Sequence, residues 1–196
     1  MPIAAASLVE NRNEAADRKK EIIRTCLDVF TKKGLVNTTS RDLSAALNLQ
    51  NAGIYYYFKS KDELVVACAE EAAYQLETNL IVPLKNELDN PNQMMMDLQH
   101  KCDVMAPTMK FLAQAFTVEK YHKKLLPFLT AMSDRYKKYA QIFADILGRD
   151  VDELEPYVYI GITAATNYMI FGENSYIKPQ FDLLKKQLNF KNGGDN

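Results

Sequence analysis

The sequence predicts an all-α protein. Glycine and proline are scarce, seven of each in 196 residues, and apolar residues recur at helical spacing over most of the chain. With 47% hydrophobic and 25% charged residues the composition is that of a globular protein, not a disordered, collagenous or low-complexity one. A chain of this size buries enough surface for one sizeable core or two small ones.

The elements follow in order. A flexible arm is expected over residues 1–16. Ile22, Ile23, Cys26, Leu27 and Phe30 then form the apolar stripe of a first helix, and Gly34, after Lys32 and Lys33, supplies its C-terminal cap. Thr39-Ser40-Arg41-Asp42 fits a capping box in its Asp variant, opening a short second helix with Leu43, Ala46 and Leu47 on one face. That helix ends near Asn48, a residue that tolerates the left-handed conformation of a tight turn. A third short helix runs from about Gln50 to Tyr57. Ser60 to Glu63 is a second capping box, and the helix it opens extends from Lys61 to near Leu80, where Pro83 stops it. Beyond it, Asn90-Pro91, Pro107, the Pro127 region, Gly148 to Asp152 and Gly172 to Pro179 divide the remainder into four to six helices, the longest ending at Leu147. The chain accordingly divides into the arm, a small helical module over 17–64 and a larger helical body over 65–196.

Cys26 and Cys68 fall on apolar stripes and read as small core residues, while Cys102, flanked by Lys101 and Asp103, is ambiguous. No C-x-x-C spacing marks a zinc or redox site, and the three thiols fit a reducing cytoplasm. Residues 1–10 lack the basic start of a signal peptide. The uncharged run from Pro156 to Gly172 is 17 residues long and carries Thr163, Thr166, Asn167 and three tyrosines, too short and polar to span a bilayer. A cytoplasmic protein is expected.

Net charge is -1, which by itself favours neither nucleic acid nor membrane. The distribution is uneven. From Lys32 to Lys61 five bases (Lys32, Lys33, Arg41, Lys59, Lys61) face one acid, Asp42; from Asp62 to Asp89 seven acids face the single base Lys85. A basic head on an acidic neck suits local phosphate contacts and excludes a binder that relies on bulk charge.

Two short helices joined by a tight turn and preceded by a third helix form a helix-turn-helix pattern, whose second helix enters the DNA major groove. The string Gly34, Thr38-Thr39-Ser40-Arg41-Asp42-Leu43 and Gly53-Ile54-Tyr55-Tyr56-Tyr57-Phe58-Lys59-Ser60-Lys61-Asp62-Glu63-Leu64 makes the pattern specific. Over residues 18 to 66 it resembles the TetR family of bacterial transcriptional regulators in residue type and spacing. It departs from that family at Asn48, where glycine is usual, at Gln50-Asn51-Ala52, in place of Ser-Lys-Gly, and at Tyr57, often histidine.

The residues support a DNA reading on their own chemistry. Tyr55 and Tyr56 offer hydroxyls to phosphates and ring faces to thymine methyls or sugars, while Tyr57 and Phe58 pack back onto the module. Asn51 in the first turn suits an adenine edge, and Ala52 and Gly53 let the backbone approach closely. Thr38, Thr39, Ser40 and Arg41 at the start of the second helix, and Lys59 and Lys61 before the fourth, suit phosphates. The resemblance implies phosphate contacts at Ser40, Tyr55, Tyr56 and Lys61, and groove-lining residues at Gln50, Asn51 and Ala52.

One recognition helix reads only a few base pairs, so a homodimer on a palindromic operator is expected. The apolar run with Val158, Ile160, Ile162, Ala165, Tyr168, Met169 and Phe171, together with Phe181, Leu183, Leu184, Leu188 and Phe190, is the expected interface, and the resemblance implies a four-helix dimer bundle there. Between module and interface lie methionines and aromatics that suit either a core or a pocket for an apolar small molecule. The resemblance favours the pocket, with Met95, Met109, Phe116, Tyr136, Tyr139 and Tyr168 as lining residues. It also implies a regulator, most often a repressor, released from DNA when the ligand moves the fourth helix.

No G-x-S-x-G, phosphate loop, HExxH or paired-acid motif appears, and His100 and His122 have no partner at metal-ligand spacing. No enzyme, cofactor or metal is therefore expected. The rival readings are a constitutive helix-turn-helix protein without a ligand and a helical protein-interaction adaptor.

Overall fold

The computed structural model describes residues 3–49, 51–81, 91–172, 175 and 177–187, and among them contains eight α-helices and no strand. These are α1 (Ile3–Lys33), α2 (Ser40–Leu47), α3 (Asn51–Tyr57), α4 (Lys61–Leu76), α5 (Pro91–Thr117), α6 (Glu119–Leu147), α7 (Val151–Phe171) and α8 (Lys178–Gln187). A π-helical turn, Glu77–Ile81, prolongs α4.

The expected caps are present. Thr39 accepts a bond from the Asp42 amide while Asp42 accepts one from the Thr39 amide, closing the box at the start of α2. Ser60 caps α4 by accepting from the Glu63 amide at 3.2 Å, but Glu63 reaches one residue further back than expected and accepts from the amide of Lys59, at 2.8 Å. Gly34, at φ +81°, follows α1 in the left-handed region, where a glycine carries no Cβ penalty.

Two expectations are corrected. The arm over residues 1–16 is helical from Ile3, because no glycine or proline interrupts Ile3 to Lys33 and the Ala4-Ala5-Ala6 run propagates the helix past its packed segment. Pro107 and Pro127 do not divide the body: they lie inside α5 and α6, both exposed. The carbonyls that lose their partners, those of Asp103 and Lys123, belong to exposed residues, where water replaces the missing amide. The break falls instead at Val118, whose φ of -84° and ψ of 114° leave the helical region between the two long helices.

Helix α1 packs on α2, α4 and α5; α4 packs on α5 and α6; α7 covers α5 and α6, and α8 lies on α7. A Cβ at Gly161 would come within 3.3 Å of Leu184, so α7 and α8 approach closely there. One buried cluster runs from Ile22, Leu27 and Phe30 through Leu64, Val65 and Cys68 to Phe111, Leu125, Ala164 and Met169. Module and body thus share a continuous core. All three cysteines are free and buried within it, and burial pushes the thiols of Cys26 and Cys102 up to about 12 and that of Cys68 well above its ordinary value. They are packing residues, Cys102 included.

Candidate nucleic-acid interface

Helix α2 ends in a Schellman turn. Asn48 takes φ 51° and ψ 38°, its amide bonds to the Ala45 carbonyl, and the Leu49 amide bonds to that of Ser44. Asparagine therefore fills the left-handed position that a glycine would otherwise hold. The turn delivers the chain to α3, where Ile54 and, just past the helix end, Phe58, one helical turn apart, are buried. That anchoring turns the neighbouring side chains outward: Tyr55 is 44% exposed and Tyr56 81%. Tyr57 packs against the core and meets the Tyr56 ring edge to face, centroids 5.0 Å apart. An exposed tyrosine pair on a helix of seven residues is an uncommon use of aromatic surface unless a partner covers it.

The remaining predicted contacts separate into free and engaged groups. Arg41 and Lys59 are exposed, and no acid among the described residues pairs with either. Ser40 is half-buried at the first position of α2. Thr39 is exposed, but its hydroxyl is committed to the capping box through Asp42. Lys61 is half-buried and donates to the Thr38 carbonyl, tying α4 to the loop before α2. Thr38 itself is buried and donates to the Gly34 carbonyl at 2.8 Å, so it is a packing residue and not a phosphate ligand. Gly53 is half-buried; an alanine there would meet Leu49 at an ordinary 3.5 Å. Asn51 and Ala52 begin α3, and Gln50 lies outside the described residues.

One of the five bases is neutralised. Lys33 bonds to Asp42 at 2.5 Å, and this pairing, with the capping bonds from Thr39, holds the Asp42 carboxyl far below the usual carboxylate range. Among the described residues no acid pairs with Lys32, Arg41, Lys59 or Lys61.

Residues 22–68 match the family model for bacterial regulatory proteins of the tetR family. These residues are a TetR-type helix-turn-helix module. Two curated proteins align with this TetR-type module: an uncharacterised HTH-type transcriptional regulator, YerO, of Bacillus subtilis, 32% identical over 54 residues, and the HTH-type transcriptional repressor KstR2 of Mycolicibacterium smegmatis, 30% identical over 53. The alignments cover 28% and 27% of this chain but only 19% and 26% of those proteins. The fold as a whole is similar to the crystal structure of the TetR family transcriptional regulator PfmR from Thermus thermophilus, with a TM-score of 0.51 and 15% identity over 89% of this chain and 99% of that one. The family and these relatives are regulators, not enzymes.

The TetR-type module is joined to the body at the corner between α5 and α6, which the sequence did not reveal. The Leu35 amide donates to Gln114 at 2.8 Å, and the rings of Phe30 and Phe111 stack at 5.2 Å. Asp62, in the first turn of α4, accepts from Lys120 at 2.7 Å and from the Tyr121 hydroxyl at 2.9 Å. The bond from Lys120 above all lowers the Asp62 carboxyl, and the Lys120 ammonium is raised in return. The only sequence signal for this corner is Thr117-Val118 followed by Glu119, two β-branched residues before a first-turn acid, and the nearby prolines outweighed it.

The predicted ligand-lining residues are engaged by different partners. Met109 and Phe116 pack against the core. The Tyr168 hydroxyl donates to Asp103 at 2.5 Å, fastening α7 to α5. Tyr136 meets Tyr159 edge to face at 6.0 Å, and the Tyr139 hydroxyl donates to Glu77. Met95 lies in α5, and its side chain is outside the described residues. Among the described residues no group of three or more histidine, cysteine or acidic side chains is placed to hold a metal, and no helix is long and apolar enough to cross a membrane.

Proposed function

We propose that the protein is a sequence-specific DNA-binding transcriptional regulator that works as a homodimer, represses from a palindromic operator and is released by a small ligand bound in the helical body. The observation that carries the reading is the outward-facing Tyr55-Tyr56 pair on α3, in a module whose exposed Arg41 and Lys59 no acid among the described residues neutralises. Phosphate contacts from Tyr55, Tyr56, Arg41, Lys59 and Ser40 position α3 in the major groove, and Gln50, Asn51 and Ala52 face the bases. The test is a mobility shift on the upstream region of the protein's own gene across a salt series. A shifted band whose affinity falls steeply with salt is expected; a lane left empty at low salt overturns the reading. Gly53→Ala sharpens it, because the extra methyl fits inside the protein and weakens binding only where the backbone lies against DNA.

Dimerisation rests on the apolar surface of the last two helices. Phe171 is 64% exposed and Leu183 42%, and Val158, Ile160 and Ile162 are half-buried, while Ala165, Tyr168, Met169 and Leu184 of the expected interface are buried in the chain's own core. Such a patch suits an isologous four-helix contact. Phe181 is in α8 with its side chain undescribed, and Leu188 and Phe190 lie outside the described residues. A monomer in sedimentation at micromolar concentration overturns it. DNA binding indifferent to every ligand supports the constitutive alternative.

A further inference from the structure

At the outer end of α4, Glu77 opens the π-helical turn and accepts from two side chains of α6. Arg135 donates Nη1 to Oε2 at 2.5 Å, and the Tyr139 hydroxyl donates to Oε1. Both carboxylate oxygens are thereby occupied by donors from one helix. We propose that Arg135 and Tyr139 form a seat for the carboxylate of an aromatic acid, in which Glu77 is the resident placeholder that such a ligand displaces.

Four observations carry this. First, the chemistry of the donors is that of carboxylate recognition: a planar guanidinium beside a phenol. Glu77 engages one arm of the Arg135 fork, and among the described residues no other acceptor takes the rest. A free carboxylate, unconstrained by a backbone, can take the fork with two parallel bonds. Second, the seat is reachable, since the Arg135 side chain is 40% exposed and that of Glu77 21%. Third, its surroundings are aromatic: the Phe128 ring lies 6.0 Å from the Arg135 guanidinium, and Tyr136 and Tyr159 stand edge to face. Fourth, the acid belongs to a π turn and not to a regular helix. A π turn and an α-helical continuation are alternative registers of one segment, so release of Glu77 has somewhere to go.

Nothing comparable exists at the inner end among the described residues. There Asp62 takes Lys120 and Tyr121 on the same oxygen, Oδ1, and the cation is a single point charge. The proposal rests on the reading of the body as an effector domain and names the class of its ligand.

The test is calorimetric titration of the full-length protein with 2-naphthoate and with its neutral isostere 2-naphthamide, alongside a mobility shift. The acid should bind at least about tenfold tighter than the amide, as expected for a charge-assisted pair. Glu77→Gln, which removes the competing charge, should tighten naphthoate several-fold. Arg135→Met should abolish naphthoate binding and Tyr139→Phe should weaken it. If Arg135→Met fails to fold, Arg135→Lys keeps the charge without the fork and should weaken the acid about tenfold. Equal binding of acid and amide, naphthoate affinity unmoved by Arg135→Lys, or no binding of the acid to either wild type or Glu77→Gln overturns the seat. Binding as expected without loss of the DNA shift supports the seat and overturns the release mechanism instead.

Discussion

The two ends of α4 look alike in composition and differ in construction. At each end an acid, Asp62 in α4 and Glu77 in the π turn that prolongs it, is clasped by a cation and a tyrosine of α6, Asp62 by Lys120 and Tyr121, Glu77 by Arg135 and Tyr139. The inner end is reinforced by independent links: the Phe30-Phe111 stack, the Gln114 bond to Leu35 and the Lys61 bond to Thr38. The outer end leaves regular helical geometry at Glu77, and the two donors from α6 hold that acid. The polar fastening is redundant at the inner end and rests on one acid at the outer end, where buried Leu76 and Leu80 supply the apolar hold. Module, α5-α6 corner and inner α4 therefore behave as one body.

The largest effect that could break this comparison is loss of the shared core. Phe111→Ala removes the ring stacked on buried Phe30 and should cost about 3–5 kcal/mol in urea unfolding, with one cooperative transition. Two separated transitions would show that module and body are not joined as described. Next is DNA affinity. Arg41→Ala should weaken binding about tenfold and lower the salt slope by about two per dimer, one for each lost phosphate contact. Lys33→Ala, whose charge Asp42 already neutralises, should lower the slope less; equal slopes would mean that the Lys33-Asp42 pair opens on DNA.

A smaller effect is expected at the inner clamp. Asp62→Asn weakens the grip of Lys120 and Tyr121 and should reduce DNA affinity a few-fold with little change in melting temperature, since exposed pairs add little stability. An affinity unchanged by Asp62→Asn would place the junction in the aromatic stack alone.

The smallest is a pH effect on stability. The folded-state value of Asp62 is lowered from 3.8, so its stabilisation is present above that pH and lost as pH falls through the folded value. That of Lys120 is raised from 10.5, so its share is present below 10.5 and lost as pH rises through the folded value. The melting difference between wild type and Asp62→Asn should thus be flat from about pH 5 to about pH 9 and shrink below about pH 4. A difference that varies across neutrality would mean another group titrates with the clamp.

Much of this was legible from local rules. The capping box at Thr39, the left-handed Asn48, the inward Ile54 and Phe58 and the outward Tyr55 and Tyr56 follow from side chains acting within one or two turns of their own backbone. What was illegible depends on partners far along the chain. Thr38 and Lys61 read as a phosphate pair, yet the Thr38 hydroxyl is committed to Gly34 and Lys61 reaches the Thr38 carbonyl across the module. The α5-α6 corner was missed because proline is a local breaker only where packing and water do not compensate, and Pro107 and Pro127 sit where they do. Tyr139 and Tyr168 read as apolar wall, but acids contributed by other helices claim their hydroxyls.

The sequence by itself determined the helical class, the helix-turn-helix and the uneven charge that leaves a basic reading head, because periodicity, caps and charge order are properties of short stretches of chain. Only the tertiary structure decided which bases remain without an acid among the described residues, where module and body join and which acids along α4 and its π turn meet α6. Those outcomes depend on side chains far apart in the chain, such as Asp62 with Lys120, Glu77 with Tyr139 and Leu35 with Gln114, and nothing in a local pattern encodes that they meet.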